Sequence, residues 1–336
     1  MSGNDNGGGS APVLAVRSLS KRFPVRRGLF GRTTAEVSAV DDVSFTVRAG
    51  ETLGLVGESG CGKSTTGKTL LKLLDPSGGR IEVDGRDITP LGRRAMLPYR
   101  RKMQIIFQDP YSSINPRMTA GAYVGEPLVV HGVVRGRSQR DERVSELLQM
   151  VGLRVDQMRR FPHEFSGGQR QRLAIARALA LEPRIVVADE CVSALDVSIQ
   201  ASVINLMADL QGELGVAYLF IAHDIGVVEH ISDRVAVMYL GRLVEIAPRD
   251  IIFSSPQHPY TEALLSAVPV PNPRRRNRER VILKGEVPSP IDPPAGCRFQ
   301  TRCPLAFDRC RVETPTLQEI APGHRVACHL RSPEAA

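Results

Sequence analysis

Residues 51–74 read ETLGLVGESGCGKSTTGKTLLKLL, and this stretch decides the fold. A short apolar run is followed by a glycine-rich turn and then by a helical pattern. Inside it, GESGCGKST (57–65) matches G-x-x-x-x-G-K-[ST] in the strand–loop–helix setting that gives the motif its meaning. Glycines let backbone N–H groups curl round phosphate oxygens, and the start of the following helix adds a favourable field. The pattern assigns Gly57, Ser59, Gly60, Cys61, Gly62, Lys63, Ser64 and Thr65 to a phosphate-binding loop. Lys63 is expected at the β- and γ-phosphates and the Ser64 hydroxyl on Mg²⁺. An accidental glycine-rich turn is the alternative, and the flanking strand and helix argue against it.

Working outward, PRIVVADE (183–190) and GVAYLFIAHD (215–224) are two further buried-strand patterns. DRVAVMYLGRLVEIA (233–247) is a strand pair turned at Gly241. Strands alternating with helical stretches predict an α/β architecture with a largely parallel sheet. The strand in IVVADE delivers Asp189 to the Mg²⁺ site, and Glu190 stands beside it, placed to polarise an attacking water. Residues from about 111 to 180 are polar and helix-rich, and they close with a helix whose apolar positions include Leu173, Ala176, Ala180 and Leu181. That helix opens with FSGGQRQR (165–172), in which a Ser, two Gly and a Gln make a second anion-binding helix start. One chain thus carries two phosphate-binding devices.

At this point the chain resembles the ABC-type ATPases, whose signature is LSGGQ; Phe165 stands where Leu is usual. The resemblance implies a P-loop NTPase fold of the ABC type, a RecA-like α/β core plus a helical subdomain. It also implies that Ser166, Gly167, Gly168 and Gln169 contact ATP held by the loop of a second subunit. Gln108 of IIFQDP takes the place of the Q-loop glutamine, contacting Mg²⁺ and water and relaying to the membrane partner. Asp196 of SALD resembles the D-loop aspartate at the dimer interface, His223 the switch histidine, and Phe23 of KRFPV the aromatic that stacks on adenine. Cys191 departs from the family, which usually has Pro after the catalytic Glu, and this leaves the D-loop geometry open.

QDPYSSINPRM, FPHEFSGGQRQR, SALDVSIQASVINLM and HPYTEALLSAVP narrow the resemblance to the oligopeptide/dipeptide import ATPases, in their F-type subunit, over residues 12–330. Nickel and glutathione importers share much of the pattern, so the transported ligand stays open. The implied organisation is a tail at 1–11, a nucleotide-binding domain at 12–250 with its helical subdomain at about 111–180, and an extension at 251–336. The implied partners are a sibling ATPase subunit, two transmembrane permease subunits and, through them, an extracytoplasmic peptide-binding protein. The expected place is the cytoplasmic face of the membrane, as a peripheral subunit. Soluble ABC-type ATPases of repair or translation are the rival class, but they carry long coiled coils or two cassettes, and here there is one signature motif and a short insert. A non-catalytic scaffold is disfavoured because Glu190 and His223 are both present.

The 336 residues suffice for one large or two modest domains. No run approaches the ~20 apolar residues of a membrane-spanning helix, and MSGNDNGGGS has no secretory pattern. Of the net charge of +8, residues 271–336 contribute +5, densest in PRRRNRER (273–280). Flanking prolines and missing aromatics make that run a solvated linker, with no nucleic acid expected.

Four cysteines remain: Cys297, Cys303 and Cys310 in GCRFQTRCPLAFDRC, and Cys328 in VACH. In the importers that the chain resembles, these positions carry a [4Fe–4S] cluster. Their spacings, with five, six and seventeen intervening residues, match neither ferredoxin run and do not themselves name the metal. Zinc is the alternative, although it favours tighter C-x₂₋₄-C pairs; free thiols or disulfides are the third reading. His324 and His329 could replace a ligand, and as polar residues they are otherwise expected on the surface.

Overall fold

A computed structural model describes residues 11–27, 32–109, 114–267, 283 and 285–331. The basic run at 273–280, most of the N-terminal tail and residues 111–113 of the YSSINPRM stretch lie outside them.

The three buried-strand patterns form adjacent strands of one sheet. These are β3 (Thr52–Val56), β7 (Ile185–Asp189) and β8 (Ala217–Ile221), each buried along its whole length. Strands this apolar are covered on both faces, which is the situation of a parallel sheet. β3 pairs parallel with β8, β8 with β7, and β7 with β6 (Met103–Ile106). The 233–247 stretch is β9 (Arg234–Tyr239) and β10 (Arg242–Pro248), antiparallel, with Arg242 opposite Tyr239. Leu240 and Gly241 both have positive φ, the backbone of a tight two-residue hairpin turn.

A second sheet was not evident in the sequence. It is built on a long antiparallel pair, β1 (Leu14–Arg27) and β2 (Arg32–Val47), joined by β4 (Gly78–Val83) and β5 (Arg86–Asp87). Phe23 lies inside β1, opposite Val37, rather than ahead of a strand. Helix α1 (Lys63–Leu70) leaves the phosphate loop, and α2 (Leu97–Lys102) leads into β6. Between β6 and β7 stand α3 (Ala120–Val130), α4 (Arg137–Met150) and α5 (Gly167–Leu179). Leu173, Ala176, Ala180 and Leu181 are buried as their pattern predicts, although Ala180 caps α5 and Leu181 follows it. α6 (Val197–Leu214) and α7 (Ile225–Ile231) follow β7 and β8.

The extension opens with α8 (Arg249–Ser254) and α9 (Pro259–Ser266). Beyond α10 (Asp308–Val312), β11 (Gln318–Ala321) and β12 (His324–Val326) join the central sheet at its edge. β12 pairs with β10 (Glu245 opposite Val326), giving the order β11-β12-β10-β9-β3-β8-β7-β6. Glu245 is buried at this junction and accepts from the Gln257 N–H (2.7 Å) and the His258 N–H (3.0 Å), with the His324 Nε2 at 2.8 Å.

Candidate functional site

The phosphate loop turns where only glycine fits. Gly62 has φ 108°, and a Cβ there would meet the Ala39 carbonyl oxygen at 2.1 Å. A Cβ on Gly57 would lie 2.1 Å from the Met238 carbonyl oxygen. The Gly241 N–H donates to the Cys61 carbonyl (2.8 Å), so the β9–β10 turn braces the loop from one side. Lys63 is buried, and its Nζ donates to the carbonyls of Gly57 (2.8 Å) and Glu58 (3.0 Å). Burial pushes the Cys61 thiol up, against the pull of Lys63, so this thiol is a small apolar residue rather than a nucleophile. α1 has no side-chain cap, which leaves its first N–H groups for a ligand.

At the end of the loop the Ser64 hydroxyl donates to Asp189 Oδ1 at 2.6 Å, across 125 residues of sequence. These are two oxygen donors of the kind Mg²⁺ takes. Asp189 is buried, and burial raises its carboxyl above the ordinary range despite the Ser64 bond. Next to it, Glu190 adopts φ 48°, a left-handed conformation uncommon for a side-chain-bearing residue. Its N–H donates to Ile221 (2.9 Å), and its carbonyl accepts from the Ser193 hydroxyl (2.8 Å), which fixes the turn. Gln108 Nε2 donates to Glu190 Oε2 at 2.9 Å, and His223 Nδ1 lies 3.4 Å from the same oxygen. Three elements, the ends of β6, β7 and β8, therefore converge on one carboxylate. Cys191 is buried behind it, its thiol pushed up to about 12 by burial.

The signature segment forms a reciprocal cap. Ser166 Oγ accepts from the Gln169 N–H (3.3 Å), and the Gln169 side-chain oxygen accepts from the Ser166 N–H (3.1 Å). Ser166 and Gly167 are exposed, while Gly168 is buried against Ile199, whose Cγ2 would lie 2.4 Å from an added Cβ. Asp196 is exposed at the N-cap of α6 with a carboxylate not used for capping, and Val197 beside it is 82% exposed. Phe23 is half-buried on the β1–β2 pair, with Lys21 Nζ 5.0 Å from its ring.

In the extension, each of the Cys297, Cys303, Cys310 and Cys328 thiols lies within electrostatic reach of the other three. All are unpaired, and the Cys297 N–H donates to the Cys310 carbonyl at 2.8 Å. Burial, reinforced by the neighbouring sulfurs, raises the Cys297 thiol to about 11 and also raises Cys303 and Cys328. Among the described residues no three His, Cys, Asp or Glu side chains are close enough to hold a single metal ion. The two nearby histidines are not surface groups: both are buried, His324 held on Glu245 and His329 Nε2 on the Glu313 carbonyl (2.9 Å).

The sequence reading missed three residues of the site. Glu58, inside the loop, has its carboxylate on Arg302 Nη1 (2.8 and 3.1 Å) and its N–H on the Tyr260 hydroxyl (2.9 Å). A charged residue within a glycine-rich loop was the available signal.

Residues 40–193 match the ABC transporter family model, and residues 244–310 match that of the oligopeptide/dipeptide transporter C-terminal region. The probable peptide ABC transporter ATP-binding protein y4tS of Sinorhizobium fredii is 56% identical over 97% of this chain and 92% of its own length. The oligopeptide transport ATP-binding protein AppF of Bacillus subtilis is 53% identical over 95% and 98%. A dimeric ATP-binding cassette, MJ0796, solved in a post-hydrolysis state with ADP and phosphate, superposes with a TM-score of 0.62 at 28% identity, covering 70% of this chain and 98% of that one. Among the described residues no helix is long and apolar enough to cross a membrane. The chain belongs to the ABC transporter ATP-binding proteins, in the group that carries the oligopeptide/dipeptide transporter C-terminal region.

Proposed function

We propose that this chain is the ATP-hydrolysing subunit of an importer for di- and oligopeptides. The observation that carries the reading is the convergence of Gln108 and His223 on Glu190, next to the Ser64–Asp189 contact. ATP would lie on the loop from Gly57 to Thr65, its Mg²⁺ held by Ser64, Asp189 and Gln108. A bound Mg²⁺ would neutralise phosphate charge. Glu190 accepts a proton from the attacking water as its oxygen bonds to the γ-phosphorus and the bond to the β-phosphate oxygen breaks, leaving ADP and phosphate. Gln108 and His223 orient the Glu190 carboxylate. Glu190→Gln keeps the shape and removes the base; ATP binding should persist while turnover falls by about 10²–10⁴-fold. Undiminished turnover would refute the role.

The peptide assignment rests on the names of the relatives and on the C-terminal region they share. Uptake of labelled dipeptide by cells carrying the transporter, lost with Glu190→Gln and not displaced by nickel or glutathione, tests it. Residues 12–250 act as the nucleotide-binding body, with about 111–180 as the helical subdomain. Residues 251–336 form the extension. The exposed Ser166, Gly167 and Asp196 suit closure over ATP held by a sibling subunit, with Phe23 stacking on adenine. The chain would sit peripherally on the cytoplasmic face of the membrane, beneath two permease subunits fed by an extracytoplasmic peptide-binding protein.

For the extension we propose a [4Fe–4S] cluster on Cys297, Cys303, Cys310 and Cys328. Four mutually neighbouring thiols are the donor set such a cluster takes, and it spreads its ligands over several irons. Such a cluster would be structural or regulatory, since ATP hydrolysis needs no redox centre. Anaerobically purified protein should contain about four irons and four sulfides per chain with a broad absorption near 400 nm. One zinc and no iron would replace this reading with the zinc alternative.

A further inference from the structure

The phosphate loop contains one acidic side chain, Glu58, at its second position. Unbalanced, that charge would oppose the polyphosphate the loop exists to hold, because like charges a few ångströms apart repel strongly near a protein surface. The extension supplies the balance. Arg302, between Cys297 and Cys303, has a largely buried side chain and places Nη1 on both Glu58 oxygens, at 2.8 and 3.1 Å. The same Nη1 is 3.4 Å from the Tyr239 hydroxyl, and the guanidinium carbon is 5.9 Å from that ring. Tyr239, Tyr260 and Phe299 pack against one another, with ring centroids 4.7 to 5.4 Å apart. Tyr260, fully buried, accepts the Glu58 N–H. Both the charge and the backbone of Glu58 are therefore held from far along the chain, by residues 244 and 202 positions away.

We propose that Arg302 is a positioning residue of the nucleotide site: by binding the Glu58 carboxylate it removes a negative charge from the phosphate loop, so that the C-terminal extension sets the affinity for ATP. Arg302 touches no reacting atom and acts through Glu58. The inference rests on reading residues 57–65 as the ATP loop.

The test uses the full chain and Mg·ATP. Arg302→Met should raise the Kd and the KM for ATP about tenfold at low salt, leaving kcat within about twofold. The deficit should shrink as salt is added. Adding Glu58→Gln to Arg302→Met should recover most of the lost affinity, because the uncompensated charge is then gone. A merely structural role of Arg302 would not be rescued this way, since the double variant has lost both halves of the clamp. Unchanged affinity in Arg302→Met, or no recovery in the double variant, overturns the proposal. If Arg302→Met does not fold, Arg302→Gln keeps a donor for Glu58 without the charge and should raise the Kd at least about threefold at low salt; no change overturns it. Lys63→Ala serves as the control. If it binds ATP like the wild type, the loop reading fails and the proposal with it; if it loses ATP while Arg302→Met does not, only the proposal fails.

Discussion

At the scale of single residues, His258 shows how a buried side chain with no part in the chemistry sets conditions for the whole chain. It is buried beneath Phe299, its Nδ1 accepts the Tyr260 N–H (3.1 Å) and caps α9, and burial pushes its pKa down to about 3. The fold therefore holds it neutral, while the unfolded chain takes up a proton below about pH 6.5. Its contribution is complete above that pH and is lost as pH falls toward 3. Between pH 7 and pH 5 this residue should cost about 2 kcal/mol of stability. In chemical denaturation, His258→Asn, which keeps a capping acceptor, should flatten that dependence by the same amount. An unchanged slope would show that the acid sensitivity arises elsewhere.

At the scale of elements, the edge of the central sheet depends on Glu245. The buried carboxylate of β10 ties together the start of α9, through the N–H groups of Gln257 and His258, and β12, through His324. Glu245→Ala leaves two backbone donors and an imidazole unpartnered in the interior, each costing about 1–3 kcal/mol. A loss of about 3 kcal/mol or more is expected, with residues 318–326 becoming sensitive to protease first. A variant that melts like the wild type would mean that β-pairing alone holds the extension. The sequence showed Glu245 only as a member of an apolar strand pattern. A carboxylate in such a run is a sign of a buried partner, but the partner's identity cannot be read locally.

For the whole molecule, the distinction is between sites completed within one chain and sites completed between two. Lys63 is buried in this chain's own loop, whereas Ser166 lies exposed at the start of α5. If two subunits close on two composite sites, Lys63→Ala and Ser166→Arg damage different sites of the assembled importer. Trapping of ADP with vanadate should then fall from about two nucleotides per complex to about one for either variant, and to nearly none for both together. If each chain completes its own site, the double variant should be no worse than either single one.

The sequence by itself determined the strand–loop–helix turn at 57–65, the Asp189–Glu190 pair at a strand end, the helix that opens at Ser166 and the β9–β10 hairpin. Each is a local arrangement in which a run of a few residues fixes both the backbone conformation and the group presented. Gly57, Gly62 and Gly241 are legible for the same reason, since a left-handed turn favours glycine wherever it occurs. Tertiary structure alone decided that the extension joins the central sheet, that His324 and His329 are interior residues, and that Arg302 answers the charge of Glu58 across 244 positions. Burial and ion pairing between distant segments depend on which surfaces meet when the layers pack, and no periodicity in either segment encodes that meeting.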